Sequence, residues 1–232
     1  MKLSILSGGA AAGVVTGLQA QFEQKQGCQI QANFSAVGAM RELLLAGEPC
    51  DLVILTRSMI EGLMQSGQVR ANSLASLGIV RTGVAIKAGD PIPKIATRDD
   101  LFKAFSDAKG IYFPDPEKAT AGIHVYNVLK ALGLEKAKEK ELYIFPNGAT
   151  AMAAMAASSD SGLIGSTQVT EINITPGVSL IGMLPKEFEL ATDYCLGICA
   201  NAQNLQLASD FASLLISDEA AALRAKIGFE LS

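Results

Sequence analysis

Short apolar segments alternate with amphipathic segments along nearly the whole chain, and this alternation constrains the fold more than any other feature. Between the apolar segments, hydrophobic side chains recur at helical spacing, as at Ala11, Val15, Leu18 and Phe22. Strands that alternate with helices predict an α/β protein with mostly parallel sheets. The predicted strands cover residues 3–6, 28–34, 51–55, 78–86, 111–113, 142–145, 161–165, 178–183 and 194–199.

Composition narrows the class of protein. Of 232 residues, 49% are hydrophobic, so the chain can bury the core of one large domain or two small ones. The net charge of −4 and the lack of a Lys/Arg cluster argue against a nucleic-acid partner. No apolar run approaches the roughly 18 to 20 residues of a membrane span, so we expect no membrane insertion.

The four cysteines predict buried, free thiols rather than a metal site. None forms a C-x-x-C pair, and the single histidine, His124, is remote from all of them in sequence. Cys195 and Cys199 share a predicted strand, about 13 Å apart, which is too far for a disulfide. We therefore expect no metal and no cofactor. Free thiols favour a reducing compartment, so we expect a cytoplasmic protein unless a signal peptide has been removed, in which case it is periplasmic.

Small residues follow several predicted strands at the point where a helix begins. The first such segment, Ser7-Gly8-Gly9, is not a dinucleotide motif, because Ala10 breaks G-x-G-x-x-G and no acid ends the second strand. Helix N-termini present unpaired N–H groups and bind anions. Four starts of this kind indicate an oxyanion cleft, although ordinary capping explains each one alone. They lie at residues 7–9, 35–38, 119–122 and 147–150.

The order of segments also indicates two lobes. Strands near residues 80 and 195 bracket a middle segment with its own strand–helix alternation, and the terminal helices return to the first half. We therefore expect two lobes joined by two crossing strands, with a ligand cleft between the lobes. Gly83 and Gly197 are placed to act as hinge residues during closure over the ligand.

Motifs of catalysis are missing from the sequence. There is no G-x-S-x-G, no His-rich metal motif and no Walker A. His124 lies within a predicted helix beside apolar residues, which is typical of a packed or surface histidine. We therefore expect a binding protein and not an enzyme.

The motifs taken together resemble the type II periplasmic solute-binding proteins, in the branch of the molybdate-binding proteins. They span nearly the whole chain: Leu-Ser-Gly-Gly at 6–9, Ser-Ala-Val-Gly at 35–38, Gly-Glu-Pro-Cys-Asp-Leu-Val-Ile-Leu at 47–55, Asp-Pro-Glu-Lys-Ala-Thr-Ala-Gly at 115–122, Leu-Lys-Ala-Leu-Gly-Leu at 129–134 and Lys-Ile-Gly-Phe at 226–229. The resemblance implies a two-lobed α/β fold that closes on a small anion, and an ABC permease as partner. It places lobe one at residues 1–80 plus 197–232 and lobe two at residues 81–196.

The resemblance also implies ligand contacts at Ser7, Ser35, Ala121 and about Ala149. With the neighbouring residues, the candidate ligand-binding set becomes Ser7, Gly8, Gly9, Ser35, Val37, Gly38, Arg81, Thr82, Thr120, Ala121, Gly148, Ala149, Ser166 and Gln168. Where the family has a ligand-binding tyrosine, this chain has Gly165. We therefore expect weak binding of molybdate and a ligand that is a small organic acid or another anion.

Arg81 is the one charged candidate. It interrupts an apolar strand, and a buried guanidinium needs a partner. Arg81 could clamp a carboxylate together with Thr82 and Gln168, or it could form a structural ion pair or point outward at a sheet edge.

The sequence predicts a monomeric solute-binding protein that holds a small anionic ligand without changing it, as the binding component of an ABC transporter. The alternative is a cytoplasmic ligand-sensing domain, or an enzyme, on the same scaffold.

Overall fold

The computed structural model describes residues 1–231, and the chain forms two compact units. Unit 1 comprises residues 1–80 and 192–232, and unit 2 comprises residues 81–191. The sequence expectation placed the boundaries between the two lobes at 80/81 and 196/197. The assignment of functional lobes stays a prediction.

Nine strands and nine α-helices alternate along the described residues. The strands are β1 (Lys2–Gly8), β2 (Gln29–Ser35), β3 (Leu52–Thr56), β4 (Ala75–Lys87), β5 (Gly110–Pro114), β6 (Leu142–Phe145), β7 (Leu163–Gln168), β8 (Val178–Met183) and β9 (Ala191–Ile198). The helices are α1 (Ala12–Gln26), α2 (Val37–Leu45), α3 (Arg57–Gln65), α4 (Arg98–Asp107), α5 (Thr120–Ala131), α6 (Gly148–Ala157), α7 (Val169–Asn173), α8 (Leu205–Ile216) and α9 (Asp218–Ile227).

Unit 1 is built on a mixed sheet. Strand β1 lies between β2 and β3 and is parallel to both, while β9 pairs with β3 in the antiparallel sense. Parallel strands end at the same edge of a sheet, so the C-terminal ends of β1, β2 and β3 meet there. Ligands of open α/β sheets bind outside this edge.

Unit 2 repeats the pattern with its own sheet. Strand β5 is parallel to β6 and β7, and β4 pairs with β7 and β8 in the antiparallel sense. Its two faces carry separate cores. One core packs α4 and α5 against Val84, Ile86 and Ile164, and the other packs α6 against Ala85 and Leu163.

All nine predicted strands are present, and the mixed α/β class is confirmed. The sequence missed helix α7, whose five residues include the β-branched Val169, Thr170 and Ile172 and therefore give a weak helical signal. The four cysteines are buried and free, as predicted. Burial raises the pKa of the Cys195 thiol to about 12, so this thiol stays protonated at neutral pH.

The two expected hinge glycines have another explanation. A Cβ on Gly83 would lie 2.7 Å from the Leu180 side chain, and one on Gly197 would lie 2.6 Å from the Val69 side chain. At both positions a neighbouring side chain packs against the glycine backbone, so a larger residue would require that side chain to move. The structure therefore gives a packing reason for these glycines that does not involve motion.

Candidate functional site

The C-terminal edge of the unit 1 sheet brings together the first group of predicted residues. In the β1–β2 pairing, Gly8 lies opposite Ser35. Ser7 is fully buried, and its hydroxyl donates to the Gly8 carbonyl over 2.9 Å. Gly9 is buried in a short 3-10 turn that leads into α1.

Gly8 allows helix α2 to begin close to β1. A Cβ on Gly8 would lie 2.6 Å from the Val37 side chain and 3.3 Å from the Tyr194 ring. Within the described residues, no side chain caps α2, whose first turn contains Val37 and Gly38. The edge of unit 1 therefore offers backbone N–H groups and the hydroxyl of Ser35, which is partly exposed.

In unit 2, strand alternation sorts the predicted residues onto two faces. Along β4, Thr82 is on the same face as Val84 and Ile86, and along β7, Gln168 is on the same face as Ile164. These apolar side chains pack against α5. Since Thr82 lies directly opposite Gln168 in the β4–β7 register, both side chains are on the α5 face at the edge where β7 ends.

Thr82 and Gln168 are buried polar groups that the protein does not pair. Thr82 is 1% exposed and Gln168 is 2% exposed. The Thr82 hydroxyl and both polar atoms of the Gln168 amide have no hydrogen-bond partner among residues 1–231, and the same is true of the Thr170 hydroxyl. Because buried polar groups in proteins are nearly always bonded, an unpaired cluster at a strand end points to a ligand.

Helix α5 begins on this face and at this edge. A Cβ on Gly122 would lie 2.1 Å from the Asp115 carbonyl oxygen and 2.3 Å from that of Pro114, so only glycine lets α5 start against the end of β5. No side chain in the described part of the chain caps α5. Its first turn contains Thr120 and Ala121. We call the set Thr82, Gln168, Thr120 and Ala121 the α5 edge.

The other face of the same edge is closed by an internal carboxyl group. The side chain of Glu171 accepts hydrogen bonds from the Gly148 N–H at 3.2 Å and from the Thr167 hydroxyl at 2.6 Å. The Ala149 and Gln168 N–H groups also donate to it. Burial raises the pKa of Glu171, and these donors partly oppose the rise. We call the set Gly148, Ala149, Thr167 and Glu171 the α6 edge.

The α6 edge corrects two site predictions. Gly148 and Ala149 were expected to bind the ligand, but their N–H groups bind Glu171, and the Asn147 side chain accepts a hydrogen bond from the Thr150 N–H, capping the same turn. A Cβ on Gly148 would lie 2.0 Å from the Thr167 hydroxyl, so this glycine serves close packing. The start of α6 is already satisfied within the protein.

Arg81 lies on the opposite face of β4 from Thr82 and Gln168. Adjacent residues of a strand point to opposite faces, so Arg81 lies on the face away from these two side chains. Its guanidinium forms an ion pair with Glu189, and both side chains are partly exposed. The structural ion pair, one of the interpretations drawn from the sequence, describes this contact. Ser166 is likewise engaged, since its hydroxyl donates to the Gly83 carbonyl at 2.9 Å.

Gly165 lies in the core of unit 2. A Cβ there would lie 2.4 Å from the terminal methyl group of Met152 and 3.1 Å from that of Met155. Two methionines of α6 therefore fill the space beside Gly165 that a larger side chain would need.

Two groups of this site escaped sequence reasoning. Glu171 was overlooked together with α7, although an acid shortly after a predicted strand was a usable signal. Thr170 was overlooked for the same reason. His124, which the sequence predicts to be packed or at the surface, is partly buried and bonds through Nε2 to the Phe188 carbonyl at 2.7 Å.

The described residues contain neither a candidate metal cluster nor a candidate membrane-spanning helix. Among residues 1–231, no group of three His, Cys, Asp or Glu side chains is arranged to hold a metal ion. No helix in that range is long and apolar enough to cross a bilayer.

A cavity of about 280 Å³ lies at the opposite edge of the unit 2 sheet, where Gly162 and Leu163 begin β7, and does not touch the α5 edge.

Comparison with known proteins decides the family. Residues 3–230 match the model of the bacterial extracellular solute-binding proteins. The chain belongs to this family. The periplasmic molybdate-binding protein of Azotobacter vinelandii shares its fold with a TM-score of 0.81 and 17% identity, covering 99% of each chain. The sulfate-binding protein SubI of Mycobacterium tuberculosis gives a TM-score of 0.74 at 17% identity, covering 99% of this chain and 86% of the other.

These structural matches confirm the predicted resemblance to type II periplasmic solute-binding proteins of the molybdate-binding branch. One similar protein carries the name of an enzyme. An aconitate isomerase of Pseudomonas sp. is 25% identical over 225 residues, covering 94% of this chain and 84% of that protein.

Proposed function

We propose that this solute-binding protein captures a small organic anion in the periplasm and delivers it to an ABC permease. One observation carries the proposal: at the α5 edge, an N-terminus that no described side chain caps adjoins two buried polar side chains that the described residues leave unpaired. Backbone N–H groups and the helix dipole favour negative charge at such a position.

The α5 edge supplies neutral donors only. Thr82 and Gln168 carry no charge, and the nearby Arg81 is paired with Glu189 on the other face. Neutral donors bind an anion through hydrogen bonds without forming a salt bridge. The hydroxyl of Ser35 and the starts of α1 and α2 form a second group of candidate donors on unit 1.

The α6 edge argues against a tetrahedral dianion as the preferred ligand. Glu171 occupies the N–H groups that a second oxyanion contact in unit 2 would need. We therefore expect carboxylates to bind more tightly than molybdate, tungstate or sulfate.

A ligand screen tests this function. The melting temperature of the full chain is measured alone and with molybdate, tungstate, sulfate and a series of mono-, di- and tricarboxylates. The affinity of each stabilising compound is then measured by calorimetry on fresh protein. A carboxylate present at a hundred times its dissociation constant should stabilise the protein by about 2.7 kcal/mol. Submicromolar molybdate binding with no response to any carboxylate would contradict the proposal.

A second candidate function is isomerisation of an unsaturated tricarboxylate, which the relationship to aconitate isomerase over 94% of the chain favours. The same samples discriminate the two functions. In proton NMR of cis- or trans-aconitate with stoichiometric protein, a binding protein should leave the proportion of the two isomers unchanged over time, whereas interconversion of the two isomers would establish the enzyme.

A further inference from the structure

We propose that the ligand held at the α5 edge is a hydroxycarboxylate, because the edge needs a hydrogen-bond donor from its ligand as well as acceptors. This inference rests on the proposed function and specifies its ligand. The observation is the Gln168 side chain, which is almost fully buried and whose amide oxygen and nitrogen both lack partners among residues 1–231.

The donors at this edge are easily matched by an anion. The amide nitrogen of Gln168, the Thr82 hydroxyl and the N–H groups of the first turn of α5 all donate to carboxylate oxygens. The oxygens of an ionised carboxylate or of a tetraoxyanion can accept hydrogen bonds from donors of all these kinds.

The oxygen of Gln168 sets a different requirement. It only accepts hydrogen bonds, and Thr82, which lies directly opposite in the β4–β7 register, is not bonded to it. A ligand without a donor would leave this oxygen buried and unpaired, which is unfavourable. A hydroxyl beside the carboxylate supplies the missing hydrogen.

The buried carboxyl group of Glu171 also supports a hydroxycarboxylate as the ligand. It takes up the N–H groups of Gly148 and Ala149 on the opposite face, so the unit 2 sheet edge retains one anion-binding helix start, at α5. One carboxylate at α5 and one hydroxyl at Gln168 therefore match the groups present. A second negative charge is not required for the contacts in unit 2.

Matched ligand pairs that differ only by a hydroxyl test this directly. We would titrate the full chain by calorimetry with malate and succinate, citrate and tricarballylate, and lactate and propionate. The hydroxyl-bearing member of the best-binding pair should bind at least tenfold more tightly. Sites built to hydrogen-bond a hydroxyl reject analogues that lack it by large factors.

Two substitutions locate the effect. Gln168→Met keeps an unbranched side chain of similar length but removes both polar atoms, so the preference for the hydroxyl should fall to within twofold. The melting temperature should be unchanged or higher, because a buried unpaired amide is lost. Gln31→Met, the same change at an exposed position on β2, should retain the preference.

The outcomes separate the two proposals. Equal affinity for both members of every pair, or a preference that persists in Gln168→Met, would overturn the hydroxycarboxylate inference and leave organic-anion binding intact. If no carboxylate binds at all, both the inference and the proposed function fail.

Discussion

Replacing Gly122 with alanine is expected to lower the free energy of unfolding by about 3 kcal/mol. The new Cβ would lie 2.1 Å from the Asp115 carbonyl oxygen and 2.3 Å from that of Pro114, far inside van der Waals contact. Both atoms belong to the backbone where β5 ends, so neither can swing away as a flexible side chain could. Urea denaturation followed by circular dichroism measures the loss.

A matched control is available in helix α3. Gly62 is also helical, and a Cβ added there would meet no described atom within 4 Å outside its own stretch of helix. Gly62→Ala should therefore raise the free energy of unfolding by about 0.5–1 kcal/mol. If Gly122→Ala proved as stable as the wild type, the close approach of α5 to β5 would be wrong, and so would the position of the α5 edge.

The second large effect concerns pH. Burial raises the pKa of Glu171 in the folded protein above its ordinary value of 4.5. At a pH between 4.5 and the folded pKa, the folded protein therefore holds a proton that the unfolded chain releases. The stability contributed by the protonated group is complete below about pH 4.5 and is lost as the pH rises towards the folded pKa. Within that pH range, the titration of Glu171 should lower the free energy of unfolding by up to about 1.4 kcal/mol for each unit that the pH rises.

Glu171→Gln removes this titration while preserving shape. The glutamine oxygen can still accept from the Gly148 N–H, and its NH₂ group can donate to the Thr167 hydroxyl. The difference in unfolding free energy between variant and wild type should shift in favour of the variant as the pH rises from 4.5. The exposed Glu139→Gln serves as control. A difference that stays constant with pH would show that the folded pKa of Glu171 is not raised.

The fold was largely predictable because its signals are local. Short apolar runs identified all nine strands, and helical spacing together with helix start and stop residues identified every α-helix except α7. That five-residue helix is defined by its packing and by the bonds of Glu171, which connect it to Gly148 at the start of α6, 23 residues earlier, and no local pattern reports such a contact.

The candidate site was only half predictable for the same reason. The sequence identified four small-residue helix starts, but it could not tell which of them the protein itself occupies. Gly148 and Gly122 look alike in sequence, yet one faces the carboxyl group of Glu171 and the other faces two backbone carbonyls. Arg81 and Thr82 are neighbours in sequence and point to opposite faces of β4.

The most direct test of the account compares the two helix starts with one substitution. Thr120→Asp places a carboxylate in the first turn of α5, and Thr150→Asp places the same charge in the first turn of α6. Acids in the first turn stabilise a helix, so both variants should fold. Calorimetry with the tightest-binding carboxylate should show a loss of affinity of tenfold or more for Thr120→Asp and less than twofold for Thr150→Asp. Equal losses, or a larger loss for Thr150→Asp, would contradict the claim that the anion is held at the α5 edge.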